Sequence, residues 1–474
     1  MKPSEYAAHD ARRVAQAEDD DVALYARRRR ETRTLVVVLL ATVAVRVAVI
    51  LARWDQFAAD PDGYRLIAES LSNSGVYGRP LGGLDQGGPL FATAYRPPLY
   101  PLLLSAFVRH EQVPPAAVAT LHVFLALAAV ACVYRLGCNL GLRRAAACAA
   151  LGVAVDPILL HQSTLIMTET VAAFFTAFLL LLAERLARRR TVRYAAALGL
   201  TLGAAALCRP TFLPLVPCFA AACFAFQASR WRRFGLAVVV LSAALLAVSP
   251  WALRNHRVFH RWIVTTTHGG YTLLLGNNPD FYAHLVSAPR GEPWLLPSDD
   301  HLMQQCRAAH PELSARRAAA TGPEQELLDD QLAYECAREH IRARPDLFAR
   351  ACLYRAAQFW SPLPHATSKA ESRAGRAARW SIGAWYVALY ATLTIAAARH
   401  RLALVRWPWL SLALVALCFA AAHVTYWSNL RMRGPVMPAL YLLASTALAP
   451  SLASLPAAVD PPRGSRGRPR RRKT

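Results

Sequence analysis

Apolar blocks of roughly 17–24 residues, almost free of charge, recur from residue 34 to residue 455, each long enough to cross a ~30 Å hydrocarbon core as a helix. Nothing else constrains the fold as strongly. In lipid the backbone must satisfy its own hydrogen bonds, so such blocks become helices packed on one another. They fall near 34–53, 116–136, 144–160, 168–186, 193–209, 211–228, 232–251, 379–398, 404–426 and 434–455. The expected fold class is an all-α polytopic membrane protein with about ten transmembrane helices, interfacial helices and a small helical extracytoplasmic subdomain. With 55% hydrophobic residues distributed this way, a soluble enzyme or a free nucleic-acid-binding protein is excluded.

The formal net charge of +24 therefore speaks to topology rather than to nucleic acid. Only Lys2, Lys369 and Lys473 are lysine, so the charge is carried by arginine. Arg27 to Arg30 precede the first block and put the N-terminus inside. Thirteen arginines (143, 144, 185, 188, 189, 190, 193, 230, 232, 233, 399, 401 and 406) then fall in inner loops. Arg209, Arg431 and Arg433 fall in short outer loops, so the bias is the one the positive-inside rule demands. Pro98 to Val108 is too short to span and is read as a helix lying in the outer interface.

The resulting organisation is a cytoplasmic tail over 1–33, a membrane domain over 34–251 with a first outer loop at 54–115, and an extracytoplasmic loop and helical subdomain over 252–378. Membrane helices over 379–457 and a basic cytoplasmic tail over 458–474 complete it. The tail over 1–33 mixes acidic with basic side chains and is expected to be partly disordered. In the second outer segment, apolar spacing from Gln325 to Phe359 is helical, with Pro345 starting a new helix. Basic tails of this kind suit anionic lipid as a partner, and the chain as a whole is placed in a bacterial-type plasma or inner membrane.

The ten cysteines carry little chemistry. Seven lie in or beside apolar blocks, where cysteine acts as a small hydrophobe. Cys306, Cys336 and Cys352 share the polar outer segment without CxxC spacing, so one disulfide is open to them and a zinc knuckle is not supported. No GxxxxGK[ST] loop occurs, which removes an ATP-driven pump of that kind.

Given this topology, the polar, proline and glycine signatures share one face. Asp60-Pro61-Asp62-Gly63-Tyr64 follows the first block; Tyr95-Arg96-Pro97-Pro98 ends the first outer loop; Met167-Thr168-Glu169 opens the fourth block. Arg209-Pro210, Pro250-Trp251, Arg254-Asn255, Gly269-Gly270, Gly276-Asn277-Asn278-Pro279 and Arg431-Met432-Arg433 all fall on the outside as well. Each has a plainer reading: Asp60 and Asp62 as caps of a helix starting near Tyr64, Glu169 as a first-turn acid, Arg431 and Arg433 as snorkelling cations. Arg46, His122 and His423, inside blocks, read as snorkelled or hydrogen-bonded rather than catalytic. The convergence favours one extracytoplasmic site. Carboxylates there suit general-base work on a hydroxyl, and arginines beside them suit a phosphate-bearing substrate. An ion-coupled transporter would instead keep its titratable groups near the midplane.

In this order and on this face, the motifs resemble the GT-C superfamily of integral-membrane glycosyltransferases, nearest to the bacterial relatives of protein O-mannosyltransferases and the aminoarabinose transferases of lipid A. The resemblance runs from about residue 34 to 445. It implies an inverting glycosyltransferase, hexosyl or pentosyl, that moves a sugar from a polyprenyl-phosphate donor to a protein, lipid or glycan acceptor outside the cytoplasm. It makes Asp60 the general base, with Pro61 departing from the family's acidic pair and Asp62 supplying the second charge. Glu169 then orients the acceptor or assists Asp60. Arg96 occupies the donor-phosphate position, with Arg254, Arg431 and Arg433 as further candidates, and Tyr64, Arg209, Asn277 and Asn278 are candidate substrate contacts. Phosphate is a good leaving group, so no cofactor or metal is expected. The alternative is a flippase or ligase for polyprenyl-linked glycans.

Overall fold

The computed structural model describes residues 3–80, 88–142, 144–226, 228–288, 292, 294, 299–365 and 371–449. Arg143 and the basic tail over 458–474 lie outside them. In chain order the helices and strands are α1 (Pro3–Ala52), α2 (Tyr64–Ser74), β1 (Gly78–Pro80), β2 (Leu90–Ala92), α3 (Leu99–Ser105), α4 (Pro115–Asn139), α5 (Arg144–Val155) and α6 (Pro157–Gln162). There follow α7 (Glu169–Arg189), α8 (Val192–Cys208), α9 (Leu215–Ala222), α10 (Arg230–Phe259), α11 (Gly269–Leu275), α12 (Pro279–Ser287), α13 (Asp299–Ala309) and α14 (Pro311–Ala319). The last are α15 (Pro323–Ala343), α16 (Pro345–Trp360), α17 (Arg373–Leu404), α18 (Trp409–Thr425) and α19 (Met437–Ser445). The fold is helical, with β1 and β2 forming one antiparallel pair in which Arg79 faces Phe91.

Among the described residues, five helices are long and apolar enough to cross a membrane: Tyr25–Ala52 within α1, α4, α7, α10, and Arg373–Arg401 within α17. This is an integral membrane protein. The other apolar blocks form shorter helices, Arg144–Val155, Val192–Cys208, Pro210–Ala225 and Trp409–Thr425, so helix length alone does not deliver the ten spans read from the sequence. Proline is one reason. Pro157 splits the third block into α5 and α6, and a 3-10 turn over Leu430–Val436, containing Pro435, shortens the last to α19.

The break at Pro157 also explains a buried cation. Asp156 caps α6 by accepting from the Leu159 amide at 2.9 Å. Arg46 donates to the carbonyls of Leu159 at 3.0 Å and Val153 at 3.4 Å, satisfying backbone groups that a membrane interior cannot. His122 lies between the Tyr100 hydroxyl (2.8 Å) and the Ser163 carbonyl (3.0 Å), and His423 pairs with the Trp427 carbonyl at 2.9 Å. All three are held by hydrogen bonds, as the hydrogen-bonded reading expects.

The N-terminal tail departs from expectation: it is helical from Pro3 and runs without a break into the first span. The pair Arg27–Glu31, one turn apart at 2.9 Å, is the kind of contact that stabilises such a helix. Pro98–Val108 contributes only the seven-residue α3, too short to cross a bilayer. Helices α11, α13, α14 and α15 pack around Leu274, Leu302, Leu313, Leu328 and Leu332, α12 and α16 meet around Phe281, Leu285, Leu347 and Ala351, and α16 starts at Pro345 as read.

Candidate active site

The site begins with a tight turn. Asp60-Pro61-Asp62-Gly63 closes through the Gly63 amide donating to the Asp60 carbonyl at 3.1 Å, with proline second and glycine fourth as a type I turn prefers. Gly63 stands at φ 71°, where a side chain would be strained, and α2 starts at the next residue. The two aspartates then diverge. Asp60 Oδ2 accepts from the Leu66 amide at 3.0 Å, while its Oδ1 has no hydrogen-bond partner. Asp62 Oδ1 pairs with Arg96 Nη2 at 2.9 Å, and its carbonyl accepts from Arg96 Nε at 2.9 Å. Of the two caps the sequence offers for α2, it is Asp60 that makes the contact, because the turn folds it back over the helix start.

Asp60 borders a pocket of about 480 Å³ lined also by Ala58, Ala59, Pro61, Gly63, Arg65, Leu66 and Glu69. Burial pushes its carboxyl above the usual carboxylate range, against the pull of the Leu66, Arg65 and Tyr64 amides and the Arg65 charge.

A second carboxylate centre forms where α7 begins. Glu169 is completely buried (0% exposed), with Arg209 Nη1 at 3.0 Å and Arg431 Nε at 3.3 Å. Arg209 Nη1 also donates to Thr168 Oγ1 at 3.0 Å. Two of the three arginines read into short outer loops are thus partners of one acid, brought from the end of α8 and from the 3-10 turn before α19. Arg431 stays 33% exposed, and its Nε makes no hydrogen bond in regular geometry.

Tyr64 joins the two centres. Burial raises its hydroxyl above the ordinary range, and the charges acting on it are Arg96, Asp62, Arg209 and Glu169. Its ring meets Tyr100 edge to face at 5.3 Å, and Arg96 lies over it at 5.6 Å. Tyr100 in turn feels both Asp60 and Glu169. Asp60, Asp62, Tyr64, Arg96, Glu169, Arg209 and Arg431 therefore form one neighbourhood.

The remaining candidates have other contacts. Arg254 donates to the carbonyls of Thr93 at 2.8 Å and Tyr77 at 3.0 Å, tying the hairpin to α10. Arg433 is buried over Tyr386 at 4.4 Å and donates to the carbonyls of Phe359 and Ser361, each at 3.0 Å. The Asn277 amide donates to the Leu273 carbonyl at 2.8 Å, and Asn278 caps α12 through the Phe281 amide at 2.8 Å. The Gly269-Gly270 motif is a packing device: a side chain on Gly270 would collide with the Asp330 carbonyl of α15.

Sequence reading missed Glu326. This buried acid of α15 accepts from Thr93 Oγ1 at 2.5 Å, the Ala94 amide at 2.9 Å and Thr267 Oγ1 at 2.5 Å, fixing the chain just before Tyr95-Arg96. Nothing marks it among the neighbouring acids of α15, Glu324, Asp329 and Asp330. Among the described residues, no group of three or more His, Cys, Asp or Glu side chains converges as metal ligands would.

Residues 95–253 match the family of dolichyl-phosphate-mannose-protein mannosyltransferases, a stretch that holds Arg96, Glu169 and Arg209. Over 88% of its length the chain superimposes on the archaeal oligosaccharyltransferase AglB from Archaeoglobus fulgidus, in complex with an inhibitory peptide and a dolichol-phosphate, at TM-score 0.52 and 19% identity. The two share a fold. The apo form of the same oligosaccharyltransferase gives the same TM-score and identity. The chain spans about half the length of these oligosaccharyltransferase chains, 50% in each case. ArnT from Cupriavidus metallidurans, in the apo state, matches over 86% of this chain and 76% of its own at 15% identity, with a TM-score of 0.36. Comparison with curated proteins gives no match. In this fold, Asp60 Oδ1 and Arg431 Nε are among the buried polar atoms without a hydrogen-bond partner.

Proposed function

We propose that this protein is an inverting glycosyltransferase that moves a sugar, hexosyl or pentosyl, from a polyprenyl-phosphate donor to an acceptor outside the cytoplasm. The observation that carries this reading is the meeting of the Asp60 turn, the Asp62–Arg96 pair and the Glu169–Arg209–Arg431 centre around Tyr64 and Tyr100. The dolichol-phosphate in the AglB complex supports a lipid-phosphate donor. The membrane domain crosses ten times, its broken and short helices counted, with both termini cytoplasmic and 252–378 outside as a helical subdomain.

In this mechanism Asp60 takes the acceptor hydroxyl proton through its uncommitted Oδ1. The acceptor oxygen attacks the anomeric carbon from the face opposite the phosphate, the carbon–oxygen bond to phosphate breaks, and the configuration inverts. Arg96 and the half-exposed Arg431 neutralise charge developing on the leaving phosphate. Glu169, already paired twice, orients Arg209 and Arg431 rather than acting as the base. Asp62 orients Arg96. Arg254, Arg433, Asn277 and Asn278 hold the surrounding scaffold.

The test is direct. Purified full-length protein in lipid vesicles, given a donor labelled in the sugar, should release free polyprenyl phosphate and transfer label to an acceptor. Movement of intact donor between leaflets with no release would reject the transferase and leave a flippase.

A further inference from the structure

The helical subdomain contains a second chemistry, away from the carboxylates. Cys306 on α13 and Cys336 on α15 are each only 2% exposed and share one hydrophobic cluster with Leu302, Leu332 and Ala333. α13 packs on α15, and Cys336 is the strongest influence on the Cys306 thiol, raising its pKa. Cys352, the third cysteine of the outer segment, is committed elsewhere, its sulfur accepting from Arg355 Nη2 at 3.3 Å. The pairing that the sequence leaves open among three cysteines is thereby reduced to one. Two apolar core cysteines could serve as small hydrophobes, but these two share the seam between one pair of packed helices. A small helical core outside the membrane is also the setting in which a cross-link adds most and in which oxidation is available.

We propose that Cys306 and Cys336 form a disulfide that staples α13 to α15. The proposal rests on the topology given above, which puts 252–378 in the oxidising compartment. The oxidant is the disulfide of an extracytoplasmic thiol oxidoreductase. One thiolate attacks it to give a mixed disulfide, and the second displaces the enzyme sulfur. The S–S bond forms, and two electrons and two protons pass to the oxidoreductase, which leaves as a dithiol. Burial of both sulfurs requires the exchange to occur before the core closes. The staple closes a loop of about 30 residues and steadies α15, whose Glu326 holds the segment entering Tyr95-Arg96.

The test alkylates full-length protein at lysis with N-ethylmaleimide, then digests it without reductant for mass spectrometry. A peptide linking Cys306 to Cys336 is expected, lost on prior reduction. In parallel, the exposed Thr321→Cys variant is probed in intact cells with a membrane-impermeant maleimide. Both cysteines recovered as alkylated thiols, with Thr321→Cys labelled from outside, overturns the staple and leaves the topology standing. Both recovered as thiols with Thr321→Cys shielded overturns the topology and the staple together. As a second readout, reductant should lower the melting temperature of the wild type and leave a Cys306→Ser, Cys336→Ser double variant unmoved.

Discussion

Asp60 and Asp62 stand two positions apart yet answer to different neighbours: the Leu66 amide holds the first and the Arg96 guanidinium the second. Asp60→Asn keeps shape and capping while losing the base, so transfer should fall about 10²–10⁴-fold with donor binding retained. Asp62→Asn should instead act on donor use through Arg96, and normal turnover by Asp60→Asn in a labelled-donor assay would move the base elsewhere. The acid limb of the rate profile carries a second expectation. Burial raises the Asp60 pKa, so transfer should switch on with rising pH at a value above that of an ordinary aspartate. Arg65 is the nearby cation that opposes this shift. Arg65→Gln should move the limb to still higher pH, and a limb that stays put separates the titration from Asp60. Arg431→Gln should weaken donor use strongly and Arg431→Lys only in part, since a point charge cannot reproduce a fork of donors; equal donor kinetics in both would remove it from the phosphate contact.

At the scale of elements, α15 uses two acids one turn apart: Glu326 holds Thr93 and Ala94 of the loop entering Tyr95-Arg96, and Asp330 holds α11 within the same subdomain. Asp330 accepts from the Gly270 amide at 2.7 Å, and burial lifts its carboxyl to about 7. A carboxyl raised in the folded state contributes stability that is complete below its unfolded pKa and lost as pH rises through the folded one. The wild-type melting temperature should thus decline between about pH 4 and pH 7. Asp330→Asn, which still accepts from Gly270, should flatten that interval, and an unchanged slope in thermal melts would assign it to another group. The elements were unevenly legible in the sequence. Hydropathy marked α4, α7, α10 and α17 because each block runs unbroken, and Pro345 marked the start of α16. The short helices were not separable from spans, since a proline such as Pro157 leaves mean hydropathy untouched while ending a helix. The Asp60 turn could be read from Pro61 and Gly63. The commitment of Arg254 and Arg433 to carbonyls could not, because hydrogen-bond acceptors on distant backbone leave no mark in local sequence.

The whole molecule depends on a sidedness that labelling in intact cells can check. Arg188→Cys, in an inner loop of the proposed topology, should resist an impermeant maleimide until the membrane is permeabilised; immediate reaction would reverse the orientation of the entire chain. Arginine placement is the sequence signal that speaks to this scale, because it is a property of the chain as a whole. One contact has a bearing on how the protein is made. Thr93 and Glu326 are 233 residues apart, and a ribosome adding ~5–20 residues per second needs roughly 12–47 s to pass from one to the other. Throughout that interval Thr93 and Ala94 lack the acid that holds them. The segment entering Tyr95-Arg96 gains this contact only after seven apolar blocks have been synthesised, and Arg431, the second partner of Glu169, is made later still, so this neighbourhood is completed among the last parts of the chain.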